Sequence, residues 1–142
     1  MKPIIELLKK RAGALYQVAP EVTVFDGLKL LAGFGVGAVV VMEQDKMVGI
    51  FSERDYTRKV ALQGKNSREI TIADIMTREV IAVPPDAGTR VCMALMSQKK
   101  IRHLPVVDGT KVLGMISIRD ILDDIIADHE ITISQLQSYI TG

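Results

Sequence analysis

The chain repeats itself at a fixed shift of 65 residues. That shift lays Val18-Ala19-Pro20-Glu21 over Val83-Pro84-Pro85-Asp86. Without any gap it also lays Gly49 on Gly114, Ser52 on Ser117, Arg54 on Arg119 and Asp55 on Asp120, while Val41 falls on Val106 and Lys46 on Lys111. Thus Gly49-Ile50-Phe51-Ser52-Glu53-Arg54-Asp55 mirrors Gly114-Met115-Ile116-Ser117-Ile118-Arg119-Asp120. A unit this short cannot bury the apolar face of its own small sheet, so the two copies must pack on each other.

Within each unit the apolar pattern changes period in the same order. A β-prone stretch (16–18, then 80–83) leads through proline into a helix. The first helix starts at Thr23-Val24-Phe25-Asp26, a capping box with Asp as its third partner, and carries Val24, Leu28 and Leu31 at helical spacing. The second spans about 89–100, with Val91, Leu95 and Met96 expected inward. Two short strands follow in each unit, at 38–42 with 47–51 and at 104–107 with 112–116, turned by Gln44-Asp45 and by Asp108-Gly109. A closing helix begins at Ser52 in one copy and at Ser117 in the other. The expected fold is α/β: two pseudo-symmetric β-α-β-β-α repeats packed as one module about a pseudo-twofold axis, with helices at both ends. The expected boundaries are a helical segment over 1–15, repeats over 16–62 and 80–127, a linker over 63–79 that is polar across 63–68, and an amphipathic helix over 128–142 carrying Ile133, Leu136 and Ile140.

Composition narrows the function. At 142 residues and 48% hydrophobic the chain can build a real core, but with aromatics at 4% and no Trp that core must be Val, Ile, Leu and Met. Eighteen basic residues against seventeen acidic ones give a net charge of +1, without the basic excess of a nucleic-acid binder. Cys92 is the single cysteine, which excludes an intramolecular disulfide, and its apolar surroundings read as an inert core thiol. The first residues, Met1-Lys2-Pro3-Ile4-Ile5-Glu6-Leu7-Leu8, place a charge inside a very short apolar run, so neither a signal peptide nor a membrane span is expected. The expected location is the cytoplasm.

The repeated motif has a chemistry of its own. Ser52 and Ser117 stand where a strand turns into a helix, so their hydroxyls and the free N–H groups beside them can meet a phosphate. Arg54 and Arg119 add a planar fork of donors. Asp55 and Asp120, one turn in, can accept ribose hydroxyls, the part an acidic residue plays in dinucleotide folds. Adenine would then lie on backbone near Val18 or Val83. Ser-x-x-Asp ahead of an apolar helix is equally a capping box that needs no ligand. Its recurrence beside a pseudo-symmetric cleft favours binding for the two Asp residues. Catalytic signals are lacking: His103 and His129 have no partner at metal-ligand spacing, Gly33, Gly35 and Gly37 follow a helix instead of joining strand to helix, and Arg58, Lys59 and Lys65 read as a solvated basic face.

Gly-hydrophobic-hydrophobic-Ser-x-Arg-Asp at the close of each half resembles the CBS (cystathionine-β-synthase) domain pair, above all small stand-alone bacterial proteins made of one pair. The resemblance runs from about residue 16 to 127, through Tyr56 to Lys59, Ile75-Met76-Thr77 and Ile101-Arg102-His103-Leu104-Pro105-Val106-Val107; the tail Ile131-Thr132-Ile133-Ser134-Gln135-Leu136 is similar too. It implies a regulatory module that holds AMP, ADP, ATP, NAD(H) or S-adenosylmethionine in two clefts between the repeats, associates as a homodimer and acts on a separate protein that it regulates. It further implies that Arg102 and His103 lie near the ligand phosphates, with Pro105 in the same binding segment; a solvated strand entry is an equal reading for His103 and a lesser one for Arg102. The first repeat has Gly37 and Ala38 at those positions, so the clefts should be unequal. No catalysis, nucleic acid or membrane is expected. The rival reading is a constitutive interaction or dimerisation module with vestigial clefts.

Overall fold

The computed structural model describes residues 2–10, 15–128 and 137–138. The tail helix expected beyond residue 128, with His129, lies outside the described residues except for 137–138. The described chain runs α1 (Ile4–Lys10), β1 (Gln17–Val18), α2 (Val24–Phe34), β2 (Ala38–Glu43), β3 (Lys46–Ser52), α3 (Glu53–Tyr56), α4 (Ile72–Ile75), α5 (Thr89–Lys99), β4 (His103–Asp108), β5 (Lys111–Ser117) and α6 (Ile118–Asp128). After α3 the helix widens into π-type turns over Thr57–Ala61, where Leu62 N–H donates to the Thr57 carbonyl. The architecture is α/β with two repeats, as expected.

Local chemistry accounts for the elements. Thr23 caps α2 by accepting from Asp26 N–H at 3.2 Å, and Gly35 ends it in the left-handed conformation (φ 70°) that glycine adopts without strain. Gln44 and Asp45, both at positive φ, form the two-residue turn between β2 and β3. The second turn is Gly109-Thr110, one residue later than expected, because Asp108 is still paired with Lys111 and Gly109 takes the positive φ. Both hairpins carry a register shift at equivalent places, between Val41 and Met42 and between Val106 and Val107.

The lead-in strands differ. β1 pairs parallel to β2 through Gln17–Val40 and Val18–Val41, whereas Val83 makes only one parallel bridge, to Val106. Pro105 stands where the first repeat has Val40, whose N–H reaches Tyr16, and proline has no N–H to offer.

Each repeat has its own core. The first gathers Val24, Leu31, Val39, Val41 and Phe51, and the second Cys92, Met96, Leu104, Val106 and Ile116. Cys92 is wholly buried, and burial pushes its thiol pKa up, which leaves it inert. Val91, expected inward, is instead 56% exposed, since the face of α5 that meets the core is set by Thr89, Cys92 and Met96.

The helices ahead of each repeat exchange places. α1 precedes the first repeat but buries Ile4 and Leu7 in the core of the second. α4, within the stretch read as linker, precedes the second repeat but buries Ile72 and Ile75, with Met76 behind them, in the first. Backbone bonds lock both: Ile4 N–H to the Ala87 carbonyl at 2.7 Å, and Ile72 N–H to that of Val22 at 2.9 Å. This exchange closes two marginal units into one module.

Candidate functional site

Ser52 is the N-cap of α3, and the full capping box forms: Ser52 Oγ accepts from Asp55 N–H at 3.2 Å while Asp55 Oδ2 accepts from Ser52 N–H at 3.0 Å. The second repeat reproduces it, with Asp120 Oδ2 2.8 Å from Ser117 N and Ser117 Oγ 3.2 Å from Asp120 N. The pairing Ala38–Ser52 and its counterpart His103–Ser117 put each cap beside the start of the preceding strand. The first helical N–H groups bond back to that strand's approach, Glu53 to the Gly37 carbonyl at 3.0 Å and Ile118 to that of Arg102 at 2.9 Å.

Two clefts result, each walled by both repeats. The cleft of about 380 Å³ holds Ser117, Arg119 and Asp120 against Leu15, Tyr16 and Val36. The cleft of about 330 Å³ holds Ser52, Arg54 and Asp55 against Val80, Ile81 and Ile101. These opposing residues correspond at the 65-residue shift: Leu15 to Val80, Tyr16 to Ile81, Val36 to Ile101. Gly37, Ala38, Arg102 and His103 line both clefts and form the wall between them. The His103 ring packs on Gly37, its Cε1 only 3.5 Å from where a Cβ would stand. Both volumes fall at the lower end of the roughly 300–1,000 Å³ typical of small-molecule sites.

Ten of the thirteen sequence-predicted residues therefore line a cleft. Val18, Val83 and Pro105 do not: Val18 and Val83 are buried at 5% and 3% exposure, and Pro105 is buried within β4. Two residues before Val18 and Val83, Tyr16 and Ile81 make the wall instead. The repeat shift pairs these two positions, and that pairing is the sequence signal that marks them. Tyr16 is further braced by Phe34, stacked with centroids 4.4 Å apart.

The two aspartates are not equivalent. Asp55 is 5% exposed; Ser52 N–H and Oγ bond its Oδ2, while Thr77 Oγ1 at 2.9 Å and Lys59 Nζ at 3.1 Å hold its Oδ1. Lys59, expected on a solvated face, is thus drawn inward, and it also donates to the Ile75 carbonyl at 2.9 Å. Asp120 is less buried and receives both Ser117 bonds on Oδ2. The position equivalent to Lys59 is Asp124, which turns away to Lys2 and Lys10. The arginines differ too: Arg54 donates to the Lys100 carbonyl at 2.6 Å, closing the C-terminus of α5, while Arg119 is exposed along its cleft. Among the described residues no group of three His, Cys, Asp or Glu could hold a metal ion. None of the described helices is long and apolar enough to cross a membrane.

The CBS domain pattern matches residues 14–62 and 72–127. A protein with CBS domains from Burkholderia ambifaria is 41% identical and superposes with a TM-score of 0.87 over 93% of this chain and 99% of its own. A mitochondrial CBS domain-containing protein of Arabidopsis thaliana is 38% identical over 125 residues, 84% of this chain and 61% of its own. The chain spans less than two thirds of the length of the first curated relatives it matches. A CBS domain pair crystallised with 5′-methylthioadenosine and S-adenosylmethionine shares the fold at 23% identity, with a TM-score of 0.78 over 90% of this chain and 98% of its own. With two repeats, exchanged helices and paired clefts, the chain belongs to the CBS domain family.

Proposed function

We propose that the chain is a regulatory module that binds an adenosine-containing nucleotide (AMP, ADP, ATP or NAD(H)) between its repeats, signals occupancy to a partner protein and catalyses nothing itself. The observation that carries this reading is the cleft at Asp120, where a carboxylate at a helix start faces an aromatic wall at Tyr16 and two guanidinium groups, Arg102 and Arg119. Ribose hydroxyls can donate to Asp120, the arginines suit phosphate, and Tyr16 offers a face for adenine. The related pair that holds 5′-methylthioadenosine and S-adenosylmethionine is consistent with an adenosine ligand, and the similar Burkholderia chain is named for signal transduction. Association as a homodimer and a place in the cytoplasm belong to the same proposal.

One observation favours the second reading, a constitutive interaction module. Asp55 is satisfied by four donors from its own chain, so that cap stands complete without a ligand.

Calorimetry on protein stripped of carried-over ligand tests the choice, with AMP, ATP, NADH and S-adenosylmethionine as probes. Saturable binding of a nucleotide that is lost in Asp120→Asn supports the sensor. No heat from any of the four supports the interaction module.

A further inference from the structure

The two clefts differ in charge more than in shape. In the Asp120 cleft two guanidinium groups, Arg102 and Arg119, face one carboxylate. The Asp55 cleft contains Glu53 and Glu79 besides Asp55. Both glutamates are exposed at its surface, while Asp55 is closed off by Lys59, Thr77 and Ser52. Of its two arginines, Arg54 is committed to the Lys100 carbonyl and Arg102 is shared with the other cleft.

Glu53 is the pivotal difference between the repeats. The second repeat has Ile118 at this place. The Glu53 carboxylate reaches back over the dividing wall, its Oε1 3.9 Å from where a Cβ on Gly37 would stand; His103 Nε2 is 3.7 Å from the same point. Glu53 and Arg102 line the same cleft, so a phosphate drawn to Arg102 there also faces the Glu53 carboxylate. Like charges at such range, in a cleft partly screened from water, repel by an amount that decides specificity. The remaining walls, Ile50, Val80, Ile81 and Ile101, are apolar and suit a purine.

We propose that the clefts sort adenosine ligands by charge: the Asp120 cleft takes a phosphorylated adenosine, and the Asp55 cleft takes an adenosine without phosphate whose 5′ substituent is cationic, with Glu53 and Glu79 as the selecting residues. This rests on the adenosine reading of the clefts above. It makes the protein a reporter of two ligand classes at once, with the Gly37–His103 wall between them.

The test is paired calorimetry on the full chain with AMP and S-adenosylmethionine, whose sulfonium supplies the 5′ cation. Each ligand is expected to bind with a stoichiometry of one, and saturating AMP leaves the affinity for S-adenosylmethionine within about threefold, less than one charged contact is worth. Asp120→Asn is expected to weaken AMP about tenfold or more while S-adenosylmethionine still binds. The double variant Glu53→Ile with Glu79→Gln, both at exposed positions, is expected to weaken S-adenosylmethionine about fivefold or more and to admit a second AMP per chain. An unchanged melting temperature confirms that this variant is folded. Displacement of S-adenosylmethionine by AMP overturns the sorting, as do two equal AMP sites in the wild type or a double variant that binds like it. AMP binding with no S-adenosylmethionine binding also overturns the sorting but leaves the nucleotide reading intact. Silence with both ligands overturns both.

Discussion

Lys2 Nζ lies 3.0 Å from Asp124 Oδ1 although 122 residues separate them, and Lys10 reaches the same oxygen at the same distance. The pair clasps α1 to α6, holding in the second repeat a helix that comes ahead of the first. The hydrogen bond from Lys2 holds the Asp124 carboxyl below its ordinary range against the opposing effect of burial, and Lys10 assists. Leu8, next along α1, lines the Asp120 cleft, so the clasp also supports that wall.

The clasp predicts an acid-sensitive contribution to stability. A carboxyl with a folded pKa depressed below its unfolded value of about 3.9 contributes fully above that value, and the contribution is lost as pH falls through the folded pKa. Asp124→Asn should therefore melt below wild type at pH 7, by about 1 kcal/mol in stability since the lysines are partly solvated. The difference should shrink toward pH 3 in thermal melts. A gap that stays constant with pH would contradict the role given to the Asp124 charge.

Gly49 and Gly114 are equivalent glycines with unequal neighbours. A Cβ on Gly49 would lie 2.8 Å from the Thr77 carbonyl oxygen and 2.8 Å from Met76 Sδ; one on Gly114 would meet Leu8 Cδ2 at 2.8 Å. A backbone carbonyl cannot yield as the end of a leucine can. Gly49→Ala should cost about 1–3 kcal/mol in urea unfolding, and Gly114→Ala distinctly less. Equal losses would show that the α4 junction is more pliant than these distances imply.

The two motif arginines should separate stability from binding. Arg54→Ala removes the bond to the Lys100 carbonyl and should lower stability by about 0.5–1.5 kcal/mol with little change in AMP affinity. Arg119→Ala and Arg102→Ala should do the reverse, weakening AMP and ATP more than adenosine. Equal weakening of all three ligands would remove the phosphate assignment.

The two aspartates should separate in the same way. Asp120→Ala is expected to weaken nucleotide binding by roughly 1–3 kcal/mol through the lost charged hydrogen bonds to ribose. Asp55→Ala strands Lys59, Thr77 and Ser52 together and should chiefly lower the melting temperature. Calorimetry beside a thermal melt on each variant gives both readouts.

Features that depend on near neighbours in the chain were open to reading from residues alone. The doubled order of elements, the capping boxes at Ser52–Asp55 and Ser117–Asp120, the cap at Thr23 and the turn at Gln44-Asp45 all follow from chemistry within a few residues. The repeat shift carried each of them from one half to the other. It also placed Arg102 and His103 opposite Gly37 and Ala38, and with them the inequality of the clefts.

Whatever depends on distant segments meeting was decided by the tertiary structure. Val91 looked inward on apolar character, yet the core lies on the side of α5 that Cys92 and Met96 present. Val18 and Val83 join the cores of their own repeats, and Pro105 is buried within β4. They stand two residues past the cleft-lining Tyr16, Ile81 and His103 respectively, where the chain has left the wall for the interior. Lys59 has the sequence context of a solvated helix face, and only the fold brings Asp55 and the Ile75 carbonyl within its reach. By itself the sequence determined two like units, each with a Ser–Asp cap at its helix start. Only packing decided which helix covers which core, that Lys59 and Thr77 close over Asp55 while Asp120 lines its cleft, and that one wall serves both clefts, because burial and charge pairing act through space between residues the chain holds far apart.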